Sequence, residues 1–212
     1  MQITNQTNQV YTPQFEALHV ATCGKLNIYK VVDQADIGYL KTLPQKIDMK
    51  KLMPGLTKEE YERWHEMLEY AIDMMQSPGN TTYFETLNNK ICGIITCFPD
   101  KTTVIDCICT WPIEFGKKVK FAGKSLFYKV FKDFDKNKGT RIKLDAITNG
   151  PYDTVTKYQE LGLKPTSKVY NTKLEMEINK YKVKEILNVF ERIINYKEVK
   201  PKYIDIKEID IN

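Results

Sequence analysis

Gly116, Lys117, Lys118, Lys120, Gly123 and Lys124 crowd into one short stretch that leads from an apolar run at 104–110 into the start of a helical pattern at 122–136. That setting reads as strand, basic loop, helix. A helix start leaves backbone N–H groups unpaired and carries a partial positive charge, so it can hold a phosphate. Glycine there removes the Cβ that would keep the anion away. Each charge-assisted hydrogen bond contributes about 1.5–3 kcal/mol, and about 8 kcal/mol corresponds to micromolar binding. Lys124 would lie in the first helical turn, an unfavourable place for a cation unless an anion is bound. Two residues elsewhere can move protons. Asp106 is the only acid in 104–110, and a well-placed carboxylate base contributes about 10²–10⁴-fold. Tyr158 carries a phenol that is protonated at neutral pH and can donate. Cys107 and Cys109 have no His or Asn placed to activate them, so they read as buried structural thiols.

The elements that must position these groups follow from periodicity. Strands are expected at 26–32, 82–87, 91–98, 104–110 and 141–148, with strand-like residues again at 168–178. Asn88-Asn89 and Pro99-Asp100 make the turns between the second, third and fourth of them. Period-two alternation puts Asp106, Ile108 and Thr110 on one face and Ile105, Cys107 and Cys109 on the other. Helices are expected at 33–40, 58–75, 122–136, 152–161 and 181–196. The second opens on Thr57 and Glu60 at capping-box spacing, and its apolar stripe runs Tyr61, Trp64, Leu68, Ala71, Ile72, Met75. The last presents Val183, Ile186, Leu187, Phe190, Ile193 and Ile194, a face that must pack on this domain or on a partner. The stretch 41–55, with Pro44 and Pro54, reads as irregular. This order describes a mixed sheet with helices on both faces, an α/β (α+β mixed) fold.

A chain of 212 residues, 42% apolar and 28% charged, suits one globular domain with a core of its own. Residues 1–25 read as an N-terminal extension, 26–178 as the domain, and 179–212 as a helix and a charged, loosely held tail. No apolar run approaches 18 residues, and the polar start lacks the pattern of a secretory signal. A cytoplasmic protein without membrane contact is therefore expected. Five cysteines, mostly in apolar runs, suit buried thiols better than disulfides. With only two histidines, His19 and His65, no metal site is expected. The formal charge of +5 is too mild for a nucleic-acid binder but compatible with an anionic small ligand.

Two anion-binding patterns compete at the turn. Gly123-Lys124-Ser125 has the look of the end of a nucleoside-triphosphate loop, but that loop needs a glycine five positions earlier, where Lys118 stands. The run Lys120-Phe121-Ala122-Gly123-Lys124-Ser125 instead resembles the Q/R-x-x-G-x-G/A signature of the GNAT superfamily of N-acetyltransferases, with Lys for Gln or Arg and Ser for the last small residue. Neighbouring segments resemble the same family in the same order. YFETLNNKICGIITCFP, with Gly93, is similar to its second and third strands, VIDCICTWP to its fourth strand and following proline, and KYQELGL to the end of its fourth helix. The resemblance covers about 26–178. The loop 112–120 is several residues longer than typical.

What the resemblance implies is a mostly antiparallel GNAT-like mixed sheet that binds acetyl-CoA and passes its acetyl group directly to a primary amine. The backbone of 120–125 would cradle the pyrophosphate, with Lys118, Lys120 and Lys124 near the phosphates. The fourth strand would splay from its neighbour, and Ile108, Cys109 and Thr110 would line the thioester arm, the N–H of Ile108 or a neighbour acting as oxyanion donor. Tyr158 matches the family tyrosine that protonates the CoA sulfur, and Asp106 stands where a carboxylate often takes the amine's proton. Asn149 would contact CoA, although it lies nine residues before Tyr158, more than usual. The acceptor is a small-molecule amine or a protein amino group, and a homodimer is compatible with the last helix. The competing reading within the same resemblance is a catalytically degenerate module that holds CoA or a protein partner.

Overall fold

The computed structural model describes residues 16–211. Its centre is one nine-stranded sheet in the order β7-β8-β6-β5-β4-β3-β2-β1-β9. The strands are β1 (Glu16–Cys23), β2 (Leu26–Lys30), β3 (Thr81–Leu87), β4 (Lys90–Phe98), β5 (Thr102–Thr110), β6 (Arg141–Ile147), β7 (Lys164–Tyr170), β8 (Lys173–Asn179) and β9 (Tyr196–Asp205). All neighbours are antiparallel except β5 and β6. Asn88 and Asn89 both take positive φ, 51° and 63°, the conformation that a two-residue hairpin between right-twisted strands requires.

Helices cover both faces. Against one lie α1 (Gln34–Leu40), α2 (Leu43–Lys46), α3 (Met49–Leu52) and α4 (Lys58–Met75), in a layer with Phe84, Ile94 and Trp111. Against the other lie α5 (Lys124–Lys136) and α7 (Lys180–Ile194), packed on Ile95, Ile142 and Met176. The short α6 (Thr154–Glu160) follows β6. The capping box forms as the spacing requires: Thr57 accepts from the Glu60 N–H, and the Glu60 carboxylate accepts from the Thr57 N–H at 2.8 Å. Val183, Leu187, Phe190 and Ile194 of α7 are buried on this domain, whereas Ile193 is exposed.

Three expectations change. The stretch 41–55 holds the short helices α2 and α3, and Pro44 sits in the first turn of α2, where its missing N–H costs nothing. Of the expected N-terminal extension, residues 16–23 form strand β1, and the rest lies outside the described residues. The tail is not loosely held: β9 pairs with β1 along its length, and Ile206, Ile209 and Ile211 beyond it are buried. β1 buries small residues, Ala17, Ala21 and Cys23, which carry little periodic signal. β9 is an edge strand rich in lysine with Pro201 inside it, the composition that keeps an edge from pairing with other chains and also disguises it as tail.

Candidate active site

The sheet opens at β5 and β6. Their parallel pairing runs from Thr102↔Arg141 to Ile105↔Leu144 and then ends, so the C-terminal half of β5 parts from β6, as the resemblance implies. Into this gap opens a cleft of about 750 Å³. At the parting point β5 carries a bulge. Thr96 faces Cys107 and Cys97 faces Ile105, leaving Asp106 without an opposite number. This corrects the expected alternation: Ile105 lies in the layer under α5 and α7, whereas Cys107 and Cys109 lie in the layer under α4. Their thiols donate to the carbonyls of Met67 and Trp64, at 3.2 and 3.8 Å. Burial pushes the Cys107 thiol up to about 12 and Cys109 well above its usual range. All five cysteines are free and buried, and these two are structural ties between strand and helix.

Asp106, half-buried at the bulge, accepts from Asn80 Nδ2 at 3.1 Å. Burial raises its carboxyl above the usual range, and the Asn80 bond partly offsets this. Tyr158, on α6, packs edge-on against Phe127 with ring centroids 5.8 Å apart. Burial pushes its phenol upward, which keeps it protonated across the neutral range. Asp106, Ile108, Cys109, Thr110, Lys118, Ala122, Gly123, Lys124 and Tyr158 all line the one cleft.

Lys120, Phe121, Ser125 and Asn149 do not reach it. Lys120 Nζ lies 4.9 Å from the ring of Phe121, which packs on the core. Ser125 is fully buried, and Asn149 is exposed beside the cleft-lining Gly150. Lys117 is held by Glu114 at 2.9 Å, and Lys124 has a distant partner in Glu160 at 3.8 Å, both at the surface.

The turn itself is built around Gly123, the N-cap of α5, at φ +80°. A Cβ there would lie 3.4 Å from Thr110 Cγ2 and 3.6 Å from Ile108 Cδ1, ordinary van der Waals contact, so it is the backbone conformation that calls for glycine. Its N–H is not free. It donates to Oε1 of Glu85 at 2.9 Å, and the Ala122 and Ser125 amides bond to the carbonyls of Val119 and Phe121. This corrects the expectation of a turn whose donors all await an anion: buried donors take a partner, and a carboxylate from β3 supplies one. The amides of Lys124 and Leu126, first and third in α5, belong to the group that a helix cannot pair internally.

Sequence reasoning missed Glu85 and the opposite wall. Glu85 is a lone acid inside a buried strand, Thr-Thr-Tyr-Phe-Glu-Thr-Leu, and that oddity was its available signal. The opposite wall is Met49, Met53, Leu56, Trp64, Met67 and Trp111, with Glu60, Arg63 and Tyr152. Two bonds tie its surrounding loops: Tyr152 Oη donates to the Glu60 carbonyl at 3.0 Å, and the Gly116 N–H to the Leu52 carbonyl at 2.8 Å. His65 packs against Trp64 and Tyr61 and lies 3.5 Å from Glu69.

This fold is that of the GNAT acetyltransferases. The PaiA N-acetyltransferase of Thermoplasma acidophilum, solved in complex with coenzyme A, superposes with a TM-score of 0.52 at 20% identity, over 73% of this chain and 98% of its own. A T. thermophilus protein assigned as an acetyltransferase reaches 0.54 at 11% identity, over 82% and 96%. A Desulfovibrio desulfuricans protein assigned to the GNAT family reaches 0.50 at 14% identity, over 73% and 99%. No family model and no curated protein sequence matches the chain. Among the described residues no cluster of His, Cys, Asp or Glu could hold a metal, and no helix is long and apolar enough to cross a membrane.

Proposed function

We propose that the protein moves an acetyl group from acetyl-CoA to a primary amine, on a small molecule or a protein, by direct attack within a ternary complex. One observation carries the reading: the gap where β5 leaves β6 gathers the glycine turn, the bulge with Asp106, and Tyr158 into a single cleft. A slot between parted strands admits an extended pantetheine arm and leaves β5 backbone groups without strand partners. In this reading Lys118, Lys124 and the start of α5 hold the phosphates. The N–H of Ile108 or a neighbour donates to the thioester oxygen as charge builds there. Asp106, its carboxyl raised above the usual range by burial, takes the amine's proton directly or through a water. Tyr158, kept neutral by burial, returns a proton to the departing thiolate. Alignment of the two reactants supplies a large share of the acceleration. Five buried, free cysteines suit a reducing compartment, so we place the reaction in the cytoplasm.

The test is binding followed by turnover. Acetyl-CoA at a hundred times its Kd should add about 2.7 kcal/mol of stability, a rise in Tm of about 5–10 °C for a chain of this size. Thiol release should then require an added amine. No thermal shift with millimolar acetyl-CoA sinks the proposal, and slow hydrolysis across a broad amine panel favours the non-catalytic module instead.

A further inference from the structure

Glu85 lies in the middle of β3 with no exposed surface, and its carboxyl group rises from the sheet into the underside of the Gly123 turn. Space for it comes from β4, where Gly93 stands directly opposite: a Cβ on Gly93 would lie 2.7 Å from Oε1. Oε1 accepts from the Gly123 N–H, and Oε2 is in short hydrogen-bond contact with Ser125 Oγ. Ser125 Oγ also lies 3.1 Å from the carbonyl oxygen of Phe121. A hydroxyl has one proton to give, and a carbonyl can only accept. If Ser125 donates to Phe121, the proton between Ser125 and Glu85 must belong to Glu85. The complete chain is then Glu85 O–H to Ser125 Oγ, Ser125 O–H to Phe121 C=O, and Gly123 N–H to Glu85 Oε1. An ionised Glu85 leaves that chain one link short.

Among the described residues no neighbour forms an ion pair with Glu85. β4 contributes Gly93 and the Cys92 thiol, which donates to the backbone carbonyl of Glu85, and β2 places Ile28 beside it. α5 presents Ser125 and Leu126. Cys23 of β1 also feels the charge, and burial holds it and Cys92 in the thiol form. Burial lifts its pKa to about 7, against the pull of the Ser125 and Gly123 bonds.

We propose that Glu85 is the positioning residue of the anion-binding turn, and that it must carry a proton for a diphosphate to be held there. This rests on the acetyl-CoA reading of the cleft. Ionised, Glu85 would set a negative charge directly behind the donors that are to face another one, in a buried place where like charges repel strongly. Protonated, it orders Gly123 and Ser125 without opposing the ligand. Binding then takes up a proton whenever the free protein has lost it, and affinity falls as pH rises through the Glu85 range.

The test is acetyl-CoA affinity by titration calorimetry, from about pH 6.5 to about pH 8.5, for the wild type and Glu85→Gln. Glutamine can accept from Gly123 and donate to Ser125, so it copies the neutral acid. The wild type should weaken toward the one-proton limit of about tenfold per pH unit above its transition. Glu85→Gln should stay nearly flat and so report any trend due to the ligand's own phosphates. At the alkaline end, two buffers of different ionisation enthalpy should show about one proton taken up by the wild type and none by the variant. Parallel profiles without proton uptake overturn the role of Glu85 and leave acetyl-CoA binding standing. Absence of binding in both proteins at every pH overturns that reading as well. Should Glu85→Gln not fold, proton uptake by the wild type decides, and a value near zero overturns the proposal.

Discussion

The two walls of the cleft are built on opposite principles. The wall of β5 and the Gly123 turn works through main chain: a bulge, parted strands, a helix start, and a glycine at φ +80° with β5 a van der Waals contact away. The facing wall of α3, α4 and their connection works through side-chain volume, with Met49, Met53, Leu56, Trp64 and Met67 offering shape and little polarity. Main-chain recognition suits a ligand that never changes, because its donors sit where the fold puts them. A methionine-rich surface is soft and repacks readily, which suits the variable acceptor of the proposed reaction. The contrast teaches that the two walls tolerate different kinds of damage.

The largest effect should come from the first wall. Gly123→Val forces a β-branched residue into positive φ, where it is strained by about 1–3 kcal/mol, and drives its methyls toward Thr110 and Ile108. Acetyl-CoA affinity should fall by at least about 10²-fold, since about 2.7 kcal/mol of lost phosphate contacts corresponds to that ratio. A folded variant that binds as tightly as wild type would show that the turn does not hold the ligand. Tyr158→Phe comes next. It leaves the packing against Phe127 and removes only the hydroxyl, so kcat should drop about 10²-fold with acetyl-CoA affinity unchanged. Unaltered turnover in steady-state assays would remove Tyr158 from the chemistry.

The same contrast explains what could be read from the chain beforehand. Gly123, the lysines around it and the strand–loop–helix setting are visible because a helix start at positive φ demands glycine at a fixed place. The capping box of α4 and the Asn88-Asn89 hairpin were legible for the same reason, as local geometry leaves local marks. The bulge at Asp106 was not, because it depends on register with β4 and shifts which face Ile105 occupies. Glu85 was hidden differently: its partners are 38 and 40 residues away, Gly123 and Ser125, and nothing local says that a strand glutamate props up a turn. β9 escaped because an edge strand must avoid looking like a good strand. The methionine wall left no pattern, because Met53 and Leu56 stand in the connection between α3 and α4 and only Trp64 and Met67 share a longer helix.

The smallest effect, and the sharpest on the comparison, is expected at Met53. It follows α3, is half-buried and lines the cleft. Met53→Ala removes apolar surface that a bound amine would cover while leaving the β5 backbone and the Gly123 turn untouched. About 1 kcal/mol of lost burial raises KM for the amine about fivefold and leaves KM for acetyl-CoA where it was. If the walls are separate in function as they are in construction, the two constants must part in this way. A rise in KM for acetyl-CoA alone would mean that the methionine wall holds the cofactor's arm and that the amine enters elsewhere. Because Met53 is only half-buried and packs against the edge of the core under α4, the variant should lose about 1 kcal/mol of burial, a fall in Tm of about 2–4 °C, and remain folded at assay temperature, so a kinetic change could not be assigned to a damaged fold.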